Sequence, residues 1–341
     1  MSHLKSAERL GKIFQNPIPT DLGGPGLALK VLPLYLRQKE QVEPKTPLGP
    51  FRTDGSAYAS RAQSGLRVTW FGHSASLIEI DGARVLIDPV WDERASPFSF
   101  MGPKRFFAPT IPLAALPPLD AVIISHDHYD HLGAKTAAEL AKLQPNARWI
   151  TSLGVGNRLR RFGVAAQQIT ELNWTESTQI GPEFGQVRVT AWPSRHFSGR
   201  TPWDRNTTLW SSFVLEGPVH RVYYGADTGP WDGIQEIAAQ YAGFDLVMLE
   251  IGAWNALWGQ IHLGPDNAVA AFRAMGQRGG LFMPIHWGLF NLALHAWNQP
   301  IERVLELAGE QPLPLWLPAP GTPTEVVRDA PLCTYWWRQG V

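Results

Sequence analysis

The segment Ser125-His126-Asp127-His128-Tyr129-Asp130-His131-Leu132-Gly133 places three imidazoles and two carboxylates within six residues, directly after the apolar run Asp120–Ser125. This set is no packing device, because apolar neighbours would leave its polar atoms unpaired at a cost of several kcal/mol each. On a turn launched by a buried strand such side chains converge. Neutral imidazole and carboxylate are the donors that zinc and similar divalent metals prefer. A thiolate is not on offer nearby, since the one cysteine, Cys333, lies in the C-terminal tail. The bland alternative, a solvated His-rich loop, would not need a buried strand to launch it.

Three more donors stand where β-type runs end. His196 follows Val187–Trp192, and His286 follows Leu281–Ile285. Asp227 follows Val219–Tyr224 in Gly225-Ala226-Asp227-Thr228-Gly229, where glycines allow backbone and metal to approach closely. Taken singly, each reads as a satisfied structural residue. Together with the five donors of the turn, His126, Asp127, His128, Asp130 and His131, they define one candidate metal set. Lys104 and Arg105, with Arg94, offer cations for a phosphate, or equally partners for Asp92 and Glu93. Ser125 and Ser194 have no His–Asp set free of the metal donors, which argues against a serine nucleophile.

The elements that must position these residues are short. Leu66–Phe71, Ala75–Ile80 and Ala83–Asp88 are β-type, the last two joined by the hairpin signal Asp81-Gly82. Asp120–Ser125, Arg148–Thr151, Val187–Trp192, Leu209–Glu216, Val219–Tyr224, Phe244–Ile251 and Leu281–Ile285 read as further strands. Helical spacing covers Ala134–Gln144, Gly156–Phe162, Ile234–Tyr241, Pro265–Met275 and Ile301–Leu307, with a short helix expected over Leu27–Arg37. Hairpins interleaved with βα units indicate mixed sheets covered by helices. Residues 1–65, rich in Pro and Gly, read as an arm that wraps the body or covers its entrance, an unpacked extension being the alternative. The connection 89–118 carries Trp91, Phe98, Phe100, Phe106 and Phe107. A loop that long and aromatic is expected to line something. With Trp203, Trp254 and Trp258 it suggests an apolar groove beside the metal, or else a satellite core under the loops.

Composition narrows the classes. Of 341 residues, 44% are hydrophobic, enough to bury a large core. Thirty basic residues balance thirty acidic ones, so the long-range field of a nucleic-acid binder is missing. A lone cysteine calls for no oxidising compartment, and neither a signal-type h-region nor an apolar run of spanning length is present. The expectation is a cytoplasmic protein, at most peripheral at a membrane surface.

His126-x-His128-x-Asp130-His131, followed by His196, Asp227 and His286, resembles the dinuclear metal signature of the metallo-β-lactamase-fold hydrolases. Further segments resemble its N-acylphosphatidylethanolamine-hydrolysing phospholipase D branch. They are Trp70-Phe71-Gly72-His73, Asp88-Pro89, Arg94-Ala95-Ser96-Pro97, Gly102-Pro103-Lys104-Arg105-Phe106 and Pro284-Ile285-His286-Trp287-Gly288. The resemblance implies an α/β fold, a four-layer αββα sandwich with mixed β-sheets. Residues 66–312 would form the hydrolase domain, between the arm 1–65 and a C-terminal extension 313–341 packing on it.

The same resemblance implies two Zn2+ ions, with Mn or Fe compatible with one position. His126, His128 and His196 would hold one ion and Asp130, His131 and His286 the other, with Asp227 bridging. A hydroxide shared by the ions would attack phosphorus, Asp130 orienting it or taking its proton. His262 would stabilise the transition state or protonate the leaving group, a capping or pocket-wall histidine being the plainer reading. His73 and Asp88 would stand behind the ligands, while Lys104, Arg105, Trp254 and Trp258 would meet substrate. The implied reaction releases N-acylethanolamine and phosphatidic acid from a phospholipid, with peripheral membrane contact and a homodimer as implied associations. A lactonase or other small-ester hydrolase is the alternative enzyme. A metal-holding scaffold without turnover is disfavoured, because a structural zinc needs only four ligands.

Overall fold

The computed structural model describes residues 3–23, 30–31, 33–34, 37, 39–181, 186–328 and 330–340. Strands β1 (Leu66–Trp70), β2 (Ser76–Ile80) and β3 (Ala83–Ile87) form an antiparallel meander. Asp81 and Gly82 join β2 to β3 with φ of 46° and 93°, the left-handed pair that a two-residue hairpin requires. Parallel strands follow: β4 (Ala121–Ile124), β5 (Arg148–Ser152) and β6 (Ile169–Leu172), with helices α1 (Ala134–Leu143) and α2 (Gly156–Arg161) in the crossovers. Thr324–Glu325 from the tail pairs with β1 and completes a seven-stranded sheet.

The chain then changes sheets. β7 (Ser177–Ile180), β8 (Val187–Trp192), β9 (Ser212–Glu216) and β10 (Arg221–Tyr224) run antiparallel. β11 (Leu246–Glu250) and β12 (Leu281–Ile285) add in parallel, through α3 (Gly233–Ala239) and α4 (Gly264–Ala274), and α5 (Gln299–Glu310) packs against α4.

Strand alternation explains the layers. Val68, Ile78, Val85, Ile87 and Ile123 share one core with Val189, Phe213 and Leu215 of the second sheet. Their neighbours Leu77, Leu86, Val122, Ile124 and Trp149 instead meet Ala137, Leu140 and Leu159 of α1 and α2. The two sheets therefore pack face to face between helices, the αββα arrangement, and each buried aliphatic side chain contributes roughly 1.5–3 kcal/mol. Within the described residues no helix is long and apolar enough to cross a membrane.

Most expected elements are present within a few residues. β6 and β7 were not foreseen, because Ile169-Thr170-Glu171-Leu172 and Ser177-Thr178-Gln179-Ile180 lie at sheet edges and carry little apolar signal. The helix expected over Leu27–Arg37 falls mostly outside the described residues. The aromatic loop packs largely on the body and, among the described residues, does not line the metal-site cavity. Phe107 is buried against Phe51 and Trp336, and Trp91 donates to the Ile111 carbonyl at 2.7 Å, while Phe98 and Phe100 stay exposed.

The tail is anchored by tryptophan. Trp336 stacks on Trp287 at 5.2 Å, and Trp337, fully buried, donates from Nε1 to Glu302 at 2.8 Å. Because Trp287 follows His286, the tail braces the β12 end that carries a candidate ligand. Trp337→Ala should lower unfolding stability by about 3–5 kcal/mol, read as a shifted denaturant midpoint; an unmoved midpoint would show that the tail is dispensable.

Candidate metal centre

The chemistry-bearing residues gather at one end of both sheets. The turn 125–133 follows β4, His196 follows β8, Asp227 follows β10 and His286 follows β12, while His73 sits in the β1–β2 turn and Asp88 at the end of β3. Five non-glycine residues here have left-handed backbone: His73 (φ 56°), Asp88 (41°), Ala226 (50°), Ala253 (52°) and His286 (64°). Each costs on the order of 1–3 kcal/mol, strain characteristic of a site whose side chains must be aimed.

Two groups of donors converge. In one, His126, His128, His196 and Asp227 bring ligand atoms within 4.8 Å of one another; in the other, Asp130, His131 and His286 do so together with His73. Asp227 lies between the groups. Its Oδ2 is 3.5 Å from His196 Nε2 and 3.8 Å from His126 Nε2, and also 3.2 Å from His286 Nε2, while its Oδ1 is 3.2 Å from His131 Nε2.

The donor set fits divalent metal ions. His126 Nε2 faces His128 Nδ1 at 2.8 Å, and His196 Nε2 faces that same nitrogen at 3.3 Å. Ring nitrogens converging on one another cannot all be satisfied by protons, and buried His131 Nε2, His286 Nε2 and Asp227 Oδ1 have no hydrogen-bond partner. Unsatisfied buried polar atoms cost about 1–3 kcal/mol each, a cost that a cation at their focus removes. Burial holds His126 and His196 well below the ordinary histidine pKa, keeping ring nitrogens free to ligate. For His286 burial opposes charge, but Asp227 and Asp130 outweigh it and hold the pKa up at about 10. Conversely, burial would raise Asp130, yet His131, His286 and His73 keep it well below the usual carboxylate range.

Behind the ligands lies a second ring of contacts. Asp88 accepts from His131 Nδ1 (2.7 Å), Ser125 Oγ (2.5 Å), Tyr224 Oη (2.5 Å) and the Ser125 N–H (2.7 Å). Those contacts fix the His131 tautomer and leave Nε2 as the ligating atom. His73 Nε2 lies 3.0 Å from Asp130 Oδ2, and burial lowers its pKa to about 3, so the neutral ring donates. Asp88→Asn should weaken metal binding about 10–100-fold, checked by titration against a chromophoric chelator; unchanged affinity would separate Asp88 from ligand orientation.

One buried carboxylate escapes the sequence reading and another is misplaced by it. Glu250, fully buried at the end of β11, accepts from His262 Nδ1 at 2.6 Å and from the Thr228 N–H at 2.7 Å. Its only signal is an acidic residue closing an apolar strand. Asp127, though inside the ligand-rich turn, points away: it accepts from Arg158 Nε (2.5 Å) and the Gly199 N–H (2.8 Å), tying the turn to the neighbouring loop.

A cavity of about 370 Å³ opens over the cluster, lined by His128, Asp130, Asp227, His262 and His286 with Leu22, Phe197, Trp258, Ile261 and Leu292. Of the residues expected to meet substrate, Trp258 is on this wall. Lys104 instead pairs with Glu93 at 3.1 Å. Arg105 is buried in the aromatic loop, donating to the Phe107 carbonyl at 2.7 Å, its pKa brought down to about 10 by burial. Trp254 packs over Gly264 and lines an adjoining cavity with Pro265 and His295. Trp203 points to solvent, 89% exposed.

A pair of mixed sheets between helices, with a His/Asp cluster at the strand ends, defines the metallo-β-lactamase class of metal-dependent hydrolase. Residues 83–287 match the family model described as the β-lactamase superfamily domain. An uncharacterised protein of Mycobacterium tuberculosis is 46% identical over 81% of this chain and 72% of its own length. The N-acyl-phosphatidylethanolamine-hydrolyzing phospholipase D 1 of Caenorhabditis elegans is 33% identical over 88% of this chain and 87% of its own length. A metallo hydrolase from the archaeon Ignicoccus hospitalis has the same fold, with a TM-score of 0.56 and 21% identity over 76% of this chain and 97% of that one. The chain belongs to the β-lactamase superfamily and is one of its metal-dependent hydrolases, with N-acylphosphatidylethanolamine-hydrolysing phospholipase D among its relatives.

Proposed function

We propose that the protein is a dinuclear zinc phosphodiesterase acting on N-acylated phosphatidylethanolamine, releasing N-acylethanolamine and phosphatidic acid. The observation that carries this reading is the position of Asp227, whose two oxygens lie 3.2–3.8 Å from ring nitrogens of both donor groups on the floor of a partly apolar cavity. The likeness, over 88% of this chain, to a phospholipase D named for that substrate supports it. So does the exposed aromatic loop tip at Phe98 and Phe100, which suits contact with a lipid surface.

His126, His128 and His196 would hold one ion, Asp130, His131 and His286 the other, and Asp227 both. When bound, two such ions supply Lewis acidity at a phosphoryl oxygen and a source of hydroxide at neutral pH. The remaining steps belong to the chain. Asp130, kept ionised, accepts a hydrogen bond from the attacking water and orients it. His262 holds Nδ1–H on Glu250 and presents Nε2 to the cavity; carrying a second proton there, as the imidazolium, it stabilises charge or gives that Nε2 proton to the leaving oxygen. Leu22, Phe197, Ile261 and Leu292 keep water from the acyl-bearing part of the substrate.

The test is metal content together with turnover on phosphodiesters, N-acylated phospholipids and lactones. Two ions per chain and cleavage of the phospholipid at its headgroup phosphodiester are expected. Lactone hydrolysis without any phosphodiester hydrolysis would overturn the lipid assignment, and fewer than two ions in fully loaded protein would overturn the dinuclear one.

A further inference from the structure

The N-terminal arm reaches the metal centre through one side chain. Asn16 donates from Nδ2 to the His196 carbonyl at 2.7 Å, and its Oδ1 accepts the His196 N–H at 3.0 Å. Both backbone groups of a candidate ligand are thus clasped by a single amide 180 residues away. The ring of His196 is held as well, since Nδ1 sits 2.8 Å from the Ile261 carbonyl, which leaves Nε2 facing the donor group.

The neighbouring contacts close a circuit. Arg195 reaches Thr20 Oγ1 (3.0 Å), the Pro19 carbonyl (3.2 Å) and Gln260 Oε1 (2.7 Å), and that same Gln260 oxygen accepts the Asp21 N–H at 2.8 Å. Arm, His196 loop and the loop carrying His262 are therefore one hydrogen-bonded unit. Within it, Asn16 is the arm residue that hydrogen-bonds the ligand's backbone. An amide suits this position because it donates and accepts in one plane without carrying charge.

We infer that Asn16 is a positioning residue for metal binding: its clasp fixes the backbone of His196 and so sets the affinity of the ion held by His126, His128, His196 and Asp227. The inference rests on the dinuclear reading for the assignment of ligands to ions. Partners that orient ligands typically control metal affinity by about 10–100-fold.

The experiment measures zinc affinity by chelator competition, and the visible spectrum of the cobalt-loaded protein, for wild type, Asn16→Ala, Asn16→Asp and Asn173→Ala. Asn16→Ala should weaken one ion about 10–100-fold and alter the cobalt bands. Asn16→Asp still accepts the His196 N–H but faces its carbonyl without a proton, so its loss should be intermediate. Asn173→Ala removes another tether of the arm, the acceptor of the Ala7 N–H at 2.9 Å, and should leave both affinities unchanged. Should Asn16→Ala fail to fold, Asn16→Asp carries the comparison.

Wild-type affinity for every ion in both Asn16 variants would overturn the inference. An equal loss in Asn173→Ala would also do so, by showing that arm docking in general is responsible. If wild type binds fewer than two ions the dinuclear reading fails, yet the same comparison still judges Asn16 for the ion that His196 holds.

Discussion

Asp227→Asn should empty both metal positions and abolish most turnover in the same sample, a loss well beyond the roughly 100-fold that accompanies an outer partner of a ligand. The reason is position. Asp227 is the carboxylate within 3.2–3.8 Å of ring nitrogens from both donor groups, with Oδ1 toward His131 and Oδ2 toward His126, His196 and His286. Asparagine keeps the volume, so folding should survive. It replaces one oxygen by an amide that points hydrogens at imidazoles and removes the negative charge that two cations would share. Asp130→Asn makes the comparison informative, because among the described residues Asp130 pairs with His131, His286 and His73, all of one donor group. It should cost one ion and leave the other. Metal analysis and turnover of a chromogenic phosphodiester on both variants read the difference, and two retained ions with unchanged turnover in Asp227→Asn would contradict a bridging position.

How much of this was legible follows from which contacts are local. The seven candidate ligands stand out because four share one turn and the other three each follow a β-type run, and the fold then brings those ends together. Asp88 and His73 were readable for the same reason, each following or joining a strand. Asp127 misled, since neighbouring side chains on the turn diverge and it serves Arg158 and Gly199 instead. Lys104 and Arg105 misled because composition cannot say which way a loop cation points. Asn16 was invisible as a partner of His196, its contact being set by tertiary packing. The tryptophans show both outcomes. Trp258 does line the cavity, but Trp70, Trp287, Trp336 and Trp337 form a cluster behind the β12 end.

Glu250 separates fold from chemistry. It is fully buried and accepts from the Thr228 N–H, His262 Nδ1 and, at 3.3 Å, the Leu263 N–H, so it joins the Asp227 turn to the His262 turn. Glu250→Ala leaves these buried donors without an acceptor and should destabilise the protein by about 3–5 kcal/mol. Glu250→Gln keeps the volume and one oxygen, so it should lose less stability while no longer holding His262 by a charged acceptor. His262→Ala, on the cavity wall, should lower kcat and, by leaving the buried Glu250 Oε2 without its donor, also lower the denaturant midpoint. The decisive measurement is the double variant Glu250→Gln with His262→Ala. If Glu250 acts on hydrolysis by presenting His262 Nε2 to the substrate, the double variant should be no slower than His262→Ala alone, because the two residues form one unit. Multiplying losses in kcat, with metal content held at the wild-type level, would show that Glu250 acts through Thr228 and the Asp227 turn instead.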